Sequence, residues 1–288
     1  MKVSIEKPVK YASTKKNRIC EEIIVLLVLI IFAIAILLPI TWTFLSAFRP
    51  KSQIIEYPPT YFPKSFTILN FLEVLKRIKI LKYAANSAIF AIFTAFPGVL
   101  INAMAGYAFA RLQFKGKNVL FTICLMTMMI PFQVTMIPLF ILIYRIGIYD
   151  TWPGLILPRL ANVMSVFMMR SFFMGLPKEL EEAGRIDGAK ELTIFWKIML
   201  PLTKPAMVTL IVLGVNGAWN DLLYPLLMTS DVNMRMISNG VAMFVGTDVS
   251  NYGAAFAAGV ISMLPMLLLY IFGQRYFVEG TVTSGLKG

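Results

Sequence analysis

A charge-dense segment at residues 177–189 carries the residue types and the spacing that could do chemistry in this chain. It reads PKELEEAGRIDGA and interrupts a sequence that is otherwise strongly apolar. Proline suits the first turn of a helix, and the glutamates that follow it complement the positive end of the helix dipole. Asp187 and Gly188 then favour a break before a second amphipathic stretch. The pattern predicts two short helices joined by a turn, with a charged surface that faces water and binds another protein.

A polar cluster near residue 220 is the second group of candidates. A few placed polar groups next to an aromatic ring are typical of a site that binds a small molecule. Asn216 and Asn220 share a helix face, next to Trp219 and Asp221. These four residues are candidates for a substrate path; the alternative is that Asn216, Asn220 and Asp221 hydrogen-bond to neighbouring helices and hold one span in place. Arg159 leaves three alternatives: it extends to the headgroups, pairs with Asp221, or binds an anionic substrate.

The composition excludes several classes of catalytic site. The chain holds two cysteines and no histidine, which argues against a disulfide scaffold, a zinc site and histidine acid-base catalysis. The sequence contains no G-x-x-x-x-G-K-[ST] phosphate loop, the element that holds nucleotide phosphates in many ATPases. We therefore predict no catalytic residue, no metal site and no bound cofactor in this chain.

The elements that must position these residues are membrane-spanning helices. Apolar residues make up 58% of the chain and the mean hydropathy is +0.74, above what soluble domains show. Four uncharged runs each exceed the roughly 20 residues that a span needs. They cover 23–48, 83–110, 118–144 and 249–274. Two further apolar runs, 152–176 and 205–220, are interrupted or closed by charged residues. We count both as spans, which predicts an all-α membrane protein with six transmembrane helices.

The predicted boundaries divide the chain into a cytoplasmic N-terminal segment at 1–22, a transmembrane domain at 23–276 and a cytoplasmic tail at 277–288. The six spans are predicted at 23–46, 83–110, 118–144, 152–173, 205–228 and 253–274. A loop at 175–204 joins spans four and five. The first apolar run is too long for a signal-peptide core and lacks a convincing cleavage site, so we interpret it as an uncleaved span. Prolines in or beside several spans predict kinked or broken helices.

The formal net charge of +12 is explained by orientation rather than by binding to nucleic acid. Lysines and arginines collect in the first 22 residues, in the 111–117 link and around the charged loop. Such residues favour the cytoplasmic side, so both termini and the loop at 175–204 are predicted to be cytoplasmic. The segment 47–82 is basic although this topology places it outside. Its apolar periodicity from Phe71 predicts an amphipathic helix at the membrane interface.

The charged segment resembles the EAA loop of the permease subunits of ABC importers. The residues that carry this resemblance are Glu182, Ala183, Gly184, Asp187, Gly188, Ile198, Leu200 and Pro201. Gly184 departs from the family pattern, which has a second alanine here, and would loosen the helix by roughly 1 kcal/mol while leaving close packing possible. The stretches IPFQVTMIPLF, WNDLLYPLL and QRYFVEGTVTSGLKG extend the likeness. Together they resemble the carbohydrate-uptake permeases of the maltose type, more specifically the shorter, six-span partner of the pair.

The resemblance implies a non-catalytic permease subunit that forms half of the path for a sugar or oligosaccharide across a bacterial cell membrane. It implies that the loop binds in a cleft of a cytoplasmic ATPase subunit, that Glu182 pairs with a cation on the rim of that cleft, and that the loop transmits the subunit's motion to the helices. The implied partners are a second homologous permease subunit, two cytoplasmic ATP-binding subunits, an extracellular or periplasmic solute-binding protein and the lipid bilayer. The alternatives are a secondary carrier or channel subunit that needs no ATPase, and a membrane scaffold or intramembrane enzyme.

Overall fold

The computed structural model describes residues 15–244 and 252–285, and the regular structure in these two ranges is all helical. The helices are α1 (Lys15–Ala47), α2 (Lys51–Ile54), α3 (Leu69–Arg77), α4 (Ile80–Arg111), α5 (Lys117–Thr127), α6 (Phe132–Arg145), α7 (Trp152–Leu160), α8 (Val163–Gly175), α9 (Glu179–Ile186), α10 (Glu191–Ile194), α11 (Leu200–Leu202), α12 (Lys204–Asn220), α13 (Leu223–Met228), α14 (Ile237–Ala242) and α15 (Tyr252–Gly285). A π-helical turn, Phe195–Met199, joins α10 to α11, and a 3₁₀ turn covers Val232–Met234. Most of the predicted segment 1–22 and the end of the predicted tail lie outside the described residues.

Three helices are long and apolar enough to cross a bilayer by themselves, within α1, α4 and α15. Three pairs pass the same test together although each is bent: α5 with α6 by 101°, α7 with α8 by 41°, and 191–202 with α12 by 78°. The described part of the chain therefore has three candidate spans, or up to six if each bent pair is one span. This confirms an all-helical membrane protein.

The sharpest bend lies where a proline was expected to break a span. The sequence predicts one span at 118–144, but α5 ends at Thr127 and α6 begins after Pro131. Because proline disfavours the helical conformation of the residue before it, a helix tends to end ahead of it. The prolines at 39, 97, 138, 158 and 265 lie inside helices instead.

The bend between α7 and α8 is held by side chains rather than by a proline at the break. Asn102 of α4 donates to the Leu160 carbonyl over 3.1 Å and accepts from the Asn162 backbone N–H over 3.1 Å. Asn162 in turn caps α8 by accepting from the Ser165 N–H at 2.9 Å. These bonds satisfy backbone groups that lipid could not satisfy, which is the condition for breaking a helix at membrane depth.

The fifth predicted span differs in the structure. The sequence predicts one helix at 205–228, but α12 ends at Asn220 and α13 is a separate short helix. Asp221 adopts an extended backbone conformation, and its carboxylate accepts from the Tyr224 N–H at 3.2 Å. A short polar side chain that bonds to the backbone in this way competes with helix continuation.

Helix α4 is the centre of the fold, because it packs along α7, α8 and α12. Small residues let the helices approach closely: Ala254, Ala257 and Ala258 of α15 are fully buried in a cluster with Tyr83 of α4. This places the alanine-rich face of α15 in internal packing, one of the two uses that such faces have in lipid. By contrast, most of α1 is exposed, and its apolar side chains form a surface suited to lipid or to a second membrane protein.

Candidate functional site

The charged segment folds as the sequence predicted, into helix α9, a turn and a second helical stretch. The turn lies at Gly188, whose φ of +76° is in the left-handed region that glycine adopts at little cost. The Ala189 N–H donates to the Gly184 carbonyl at 2.9 Å and closes the end of α9. The second stretch contains the π-helical turn at Phe195–Met199, which the sequence pattern did not predict.

Gly184 is the contact point between the two helical arms. It is buried, and a Cβ atom added there would come within 2.9 Å of the Ile198 Cδ1 and 3.3 Å of the Ile194 Cγ1. The absence of a side chain therefore lets α9 lie directly against the second arm. The nearest atom is the end of a flexible isoleucine side chain, so an alanine would need only a small adjustment there.

An ion pair between this loop and α4 is a feature that the sequence pattern did not predict. Glu181 of α9 and Arg111 at the end of α4 are both buried, with 5% of each side chain exposed, and the Arg111 Nε lies 2.9 Å from the Glu181 Oε1. The angle between them is not that of a linear hydrogen bond, so the contact is mainly ionic. The Arg111 Nη2 also donates to the carbonyls of Phe173 at 2.6 Å and Leu176 at 2.5 Å, which lie at the end of α8.

Two further charged residues extend this pair into a network. The Arg185 Nη2 lies 3.5 Å from the Glu181 Oε2, and the Arg185 Nε donates to the Glu191 Oε1 at 2.7 Å. The Tyr107 hydroxyl of α4 contacts the other Glu191 oxygen at 3.1 Å. Burial raises the pKa of the Glu181 carboxyl, and the guanidinium groups of Arg111 and Arg185 oppose that rise. The network joins α4, α8, α9 and α10.

The other side of the loop is free. Glu182, next to the buried Glu181, is exposed and forms no ion pair within the described ranges. Ile186, Leu192 and Trp196 expose 86, 66 and 45% of their surface. A helix that shows apolar side chains beside an unpaired carboxylate has the character of a groove-binding surface.

The remaining loop residues divide between the two sides. Ala183, Asp187, Gly188 and Pro201 are exposed. Ile198 and Leu200 are half-buried and pack against the cluster that contains Tyr107 and Phe195. The eight residues predicted in this loop therefore do not form one surface.

Within the membrane-spanning helices, Arg159 of α7 forms an ion pair with Asp221 at the end of α12. This is one of the three alternatives that the sequence left open for Arg159. The guanidinium also lies 5.0 Å from the centre of the Tyr224 ring. The Tyr224 hydroxyl donates to the carbonyls of Gly154 at 2.9 Å and Leu155 at 3.1 Å, so the cluster ties α7 to α12 and α13.

Of the other predicted path residues, Asn216 and Asn220 lie together, whereas Trp219 contacts a different helix. Asn216 and Asn220 are exposed on one face of α12, where the Asn220 amide donates to the Asn216 side-chain oxygen at 3.0 Å. Trp219 is 4% exposed, and its indole N–H donates to the Ser262 carbonyl of α15 at 3.1 Å. Trp219 thus packs α12 against α15. The alternative interpretation gave this kind of structural role to the neighbouring residues Asn216, Asn220 and Asp221.

A cleft of about 380 Å³ opens at the break between α7 and α8. Arg159, Asn162 and Ser165 line it from this side, and Asn102 lines it from α4. Glycine residues 214 and 217 form its wall on α12. Asn216 and Asn220 do not line it, so this cleft and the predicted path residues occupy different parts of α12.

Comparisons with known proteins identify the family. Residues 98–282 match the family model described as binding-protein-dependent transport system inner membrane component. The chain is 34% identical to the arabinooligosaccharides transport system permease protein AraQ of Halalkalibacterium halodurans, over 87% of this chain and 91% of that protein. It is 30% identical to the sn-glycerol-3-phosphate transport system permease protein UgpE of Yersinia pestis, over 93% of this chain and 99% of that protein.

The fold is also found in a solved structure. A chain from a bacterial ABC transporter involved in the import of the acidic polysaccharide alginate superposes with a TM-score of 0.81 at 24% identity, covering 92% of this chain and 99% of that chain. The matches confirm the predicted resemblance, the multi-pass inner-membrane location and a transport role without catalytic activity. The chain belongs to the family of binding-protein-dependent transport system inner membrane components and is a permease subunit of an ABC importer.

Proposed function

We propose that the chain forms half of a sugar translocation path and that the loop around α9 docks on a cytoplasmic ATP-binding subunit. The observation that carries the proposal is the division of α9 into two faces. Glu181 and Gly184 face the rest of the permease and are buried, whereas Glu182 and Ile186 are exposed. A short helix that is anchored on one side and exposed on the other can enter a groove of a second protein.

The orientation follows from the same assignment. ATP-binding subunits work in the cytoplasm, so docking on them places α9 and the ends of α4 and α8 on the cytoplasmic side. Both chain termini are then cytoplasmic too, in line with the lysines and arginines of the first 22 residues and of the loop. The basic segment 47–82 is extracellular or periplasmic in this arrangement.

The assembly that supports transport contains a second homologous permease subunit, two ATP-binding subunits that hold ATP and Mg²⁺, and an extracellular or periplasmic solute-binding protein. The family description, which makes transport depend on a binding protein, supports the last of these. The exposed apolar surface of α1 offers area for the second permease subunit as well as for lipid.

We propose a neutral sugar or oligosaccharide as the cargo. AraQ, by name, belongs to an arabinooligosaccharide system, whereas UgpE belongs to a glycerol phosphate system. The cleft at the break of α7 and α8 supports the first class, because the charge of Arg159 is balanced by Asp221. A phosphate group would compete with Asp221 for that guanidinium and leave a carboxylate unpaired in a poorly solvated place.

The proposed function is tested by purifying the tagged chain from its native membrane in mild detergent. We expect an ATP-binding subunit and a second permease to copurify, and the ATPase activity of the assembly to depend on an intact loop at 182–188. A stable assembly without an ATP-binding subunit, under conditions that preserve a known importer, would favour a secondary carrier instead. Uptake of a labelled oligosaccharide in vesicles, with glycerol phosphate as competitor, then separates the two classes of cargo.

A further inference from the structure

The geometry points to Arg111 as the positioning residue that transmits a displacement of the loop to α4. Helix α4 then moves the residues that line the proposed translocation path. This inference rests on the proposed docking of α9 and adds the route that leads inward from it. Arg111 is the last residue of α4, and its side chain contacts α9 through Glu181 and the end of α8 through the Phe173 and Leu176 carbonyls. One guanidinium thus fixes the docking helix to two spans.

The buried character of the pair makes this contact stiff. Each of the two side chains has 5% of its surface exposed, so water does not screen their attraction as it does for surface pairs. The second carboxylate oxygen faces Arg185 at 3.5 Å, which limits rotation of Glu181 away from Arg111. A push on the outer face of α9 is therefore passed to Arg111 before it can be absorbed within the loop.

Helix α4 connects Arg111 to the cleft. Asn102 lies nine residues before Arg111 on the same helix, a distance of about 14 Å at 1.5 Å per residue. The proline inside α4 is Pro97, which lies before Asn102, so no proline bends the helix between Asn102 and Arg111. Asn102 holds both sides of the break between α7 and α8 through Leu160 and Asn162. A displacement of α4 at Arg111 is thus delivered to the residues that line the cleft.

The adjacent glutamates then have separate tasks. Glu182 is exposed at the mouth of the crevice between α9 and the end of α4, where a partner can reach it, whereas Glu181 is buried and holds Arg111. Loss of Glu182 should weaken docking, and loss of the charge of Glu181 should leave docking intact but disconnect it from α4.

The first test compares three variants in the reconstituted complete transporter. Glu181→Gln keeps the shape of the side chain and removes its charge, whereas Glu181→Asp keeps the charge and shortens the side chain. We expect Glu181→Gln to copurify with the ATP-binding subunit and to hydrolyse ATP, but to transport at least tenfold less substrate per ATP. Glu181→Asp should transport more substrate per ATP hydrolysed than Glu181→Gln does. Glu56→Gln, which breaks the exposed ion pair between Glu56 and Lys64, is the matched control.

The second test measures the contact directly. Gln113 and Lys178 both line the crevice between the end of α4 and α9, so cysteines placed there can carry spin labels once Cys20 and Cys124 are replaced by serine. We expect the distance between the labels to be the same in the nucleotide-free and the ATP-trapped transporter. In the Glu181→Gln background the two states should differ.

Three results would overturn the inference while leaving the proposed docking in place. They are a wild-type transport-to-ATP ratio in Glu181→Gln, a higher ratio in Glu181→Gln than in Glu181→Asp, and a label distance that changes with nucleotide in the unaltered pair. Loss of the ATP-binding subunit from Glu181→Gln would also overturn it, since the pair would then only maintain the fold of the loop. If no ATP-binding subunit copurifies with the unaltered chain, the proposed function itself fails.

Discussion

Gly106 of α4 lies so close to α8 that a Cβ atom added to it would come within 2.8 Å of the Met169 Cβ and 2.9 Å of the Arg170 backbone nitrogen. Neither of these atoms can move without shifting the helix that carries it. The contact sets the distance between α4 and α8 in the half of the fold that leads to the charged loop.

The substitution Gly106→Ala should therefore force the two helices apart. Overpacking of this kind costs roughly 1 to 3 kcal/mol, so we expect a lower midpoint of thermal unfolding for the purified chain in detergent. Gly217→Ala is the matched control, because no atom lies within 4 Å of a Cβ built there. Equal stability of the two variants would contradict the close approach of α4 and α8.

Loss of one partner of the Arg159–Asp221 ion pair should lower the stability of the fold more than loss of both partners. Removing one partner of a buried pair leaves the other charge uncompensated. Because Arg159 has 34% of its side chain exposed, we expect Asp221→Asn to cost about 1 to 2 kcal/mol rather than the larger loss of a fully buried pair. The double variant Arg159→Gln/Asp221→Asn should be more stable than Asp221→Asn by itself. Thermal unfolding of the wild type, Arg159→Gln, Asp221→Asn and the double variant in one detergent measures this, and strictly additive effects would speak against the pairing.

Glu182→Lys should leave membrane insertion intact and abolish transport. The side chain is exposed, so reversal of its charge costs the fold little, but it places a cation where the partner is proposed to present one. Expression level and protease accessibility check insertion, and vesicle uptake checks transport. Glu56→Lys, at a half-buried glutamate that pairs with Lys64 in the segment before α3, is the control for charge reversal. Normal uptake by Glu182→Lys would contradict the assignment of this surface to docking.

Asp150, in the turn between α6 and α7, should make stability depend on pH. Burial raises the pKa of its carboxyl, but hydrogen bonds from the Ser230 side chain and from the Asp231 and Ser230 backbone N–H groups outweigh this effect, and the pKa lies below its ordinary value. A carboxylate with a lowered pKa in the folded state contributes stability above its unfolded pKa, near 4, and loses it as the pH falls through the folded value.

The variant Asp150→Asn should accordingly be less stable than the wild type at pH 7, and the difference should shrink below about pH 4. Thermal unfolding at several pH values measures it. Ser230→Ala, which removes one of the donors, should show a smaller loss with the same dependence on pH. A difference between Asp150→Asn and wild type that stays constant down to pH 3 would contradict the role of the ionised carboxylate.

Local patterns predicted those parts of the fold that depend on neighbours in sequence. Long apolar runs predicted the long helices, and Pro131 accounts for the sharp bend between α5 and α6. The bend between α7 and α8 could not be predicted in this way, because it depends on Asn102, which reaches it from another helix. The end of α12 was missed because the apolar residues 222–228, which follow Asp221, were assigned to the same span.

The candidate site shows the same limit. The pattern identified α9 and its turn, but it could not show which of two adjacent glutamates faces inward, since Arg111 lies on a distant helix in the sequence. For Arg159 the sequence supplied the correct partner as one of three alternatives, and only the position of α12 decides among them. The burial of Arg111 at the end of α4 could not be predicted from the sequence, because burial depends on how the helices pack.

Three residues link α8 to α9, and the positions of Glu181 and Glu182 restrict the length that this link can have. Helix α8 ends at Gly175, α9 begins at Glu179, and the Leu176 carbonyl between them is tied to Arg111. Neighbouring residues on a helix point about 100° apart. If α9 keeps its place, one residue removed from this link would shift its register by one position and put Glu182 where Glu181 now meets Arg111. The length of the link is therefore as much a part of the site as the chemistry of Glu181 and Glu182.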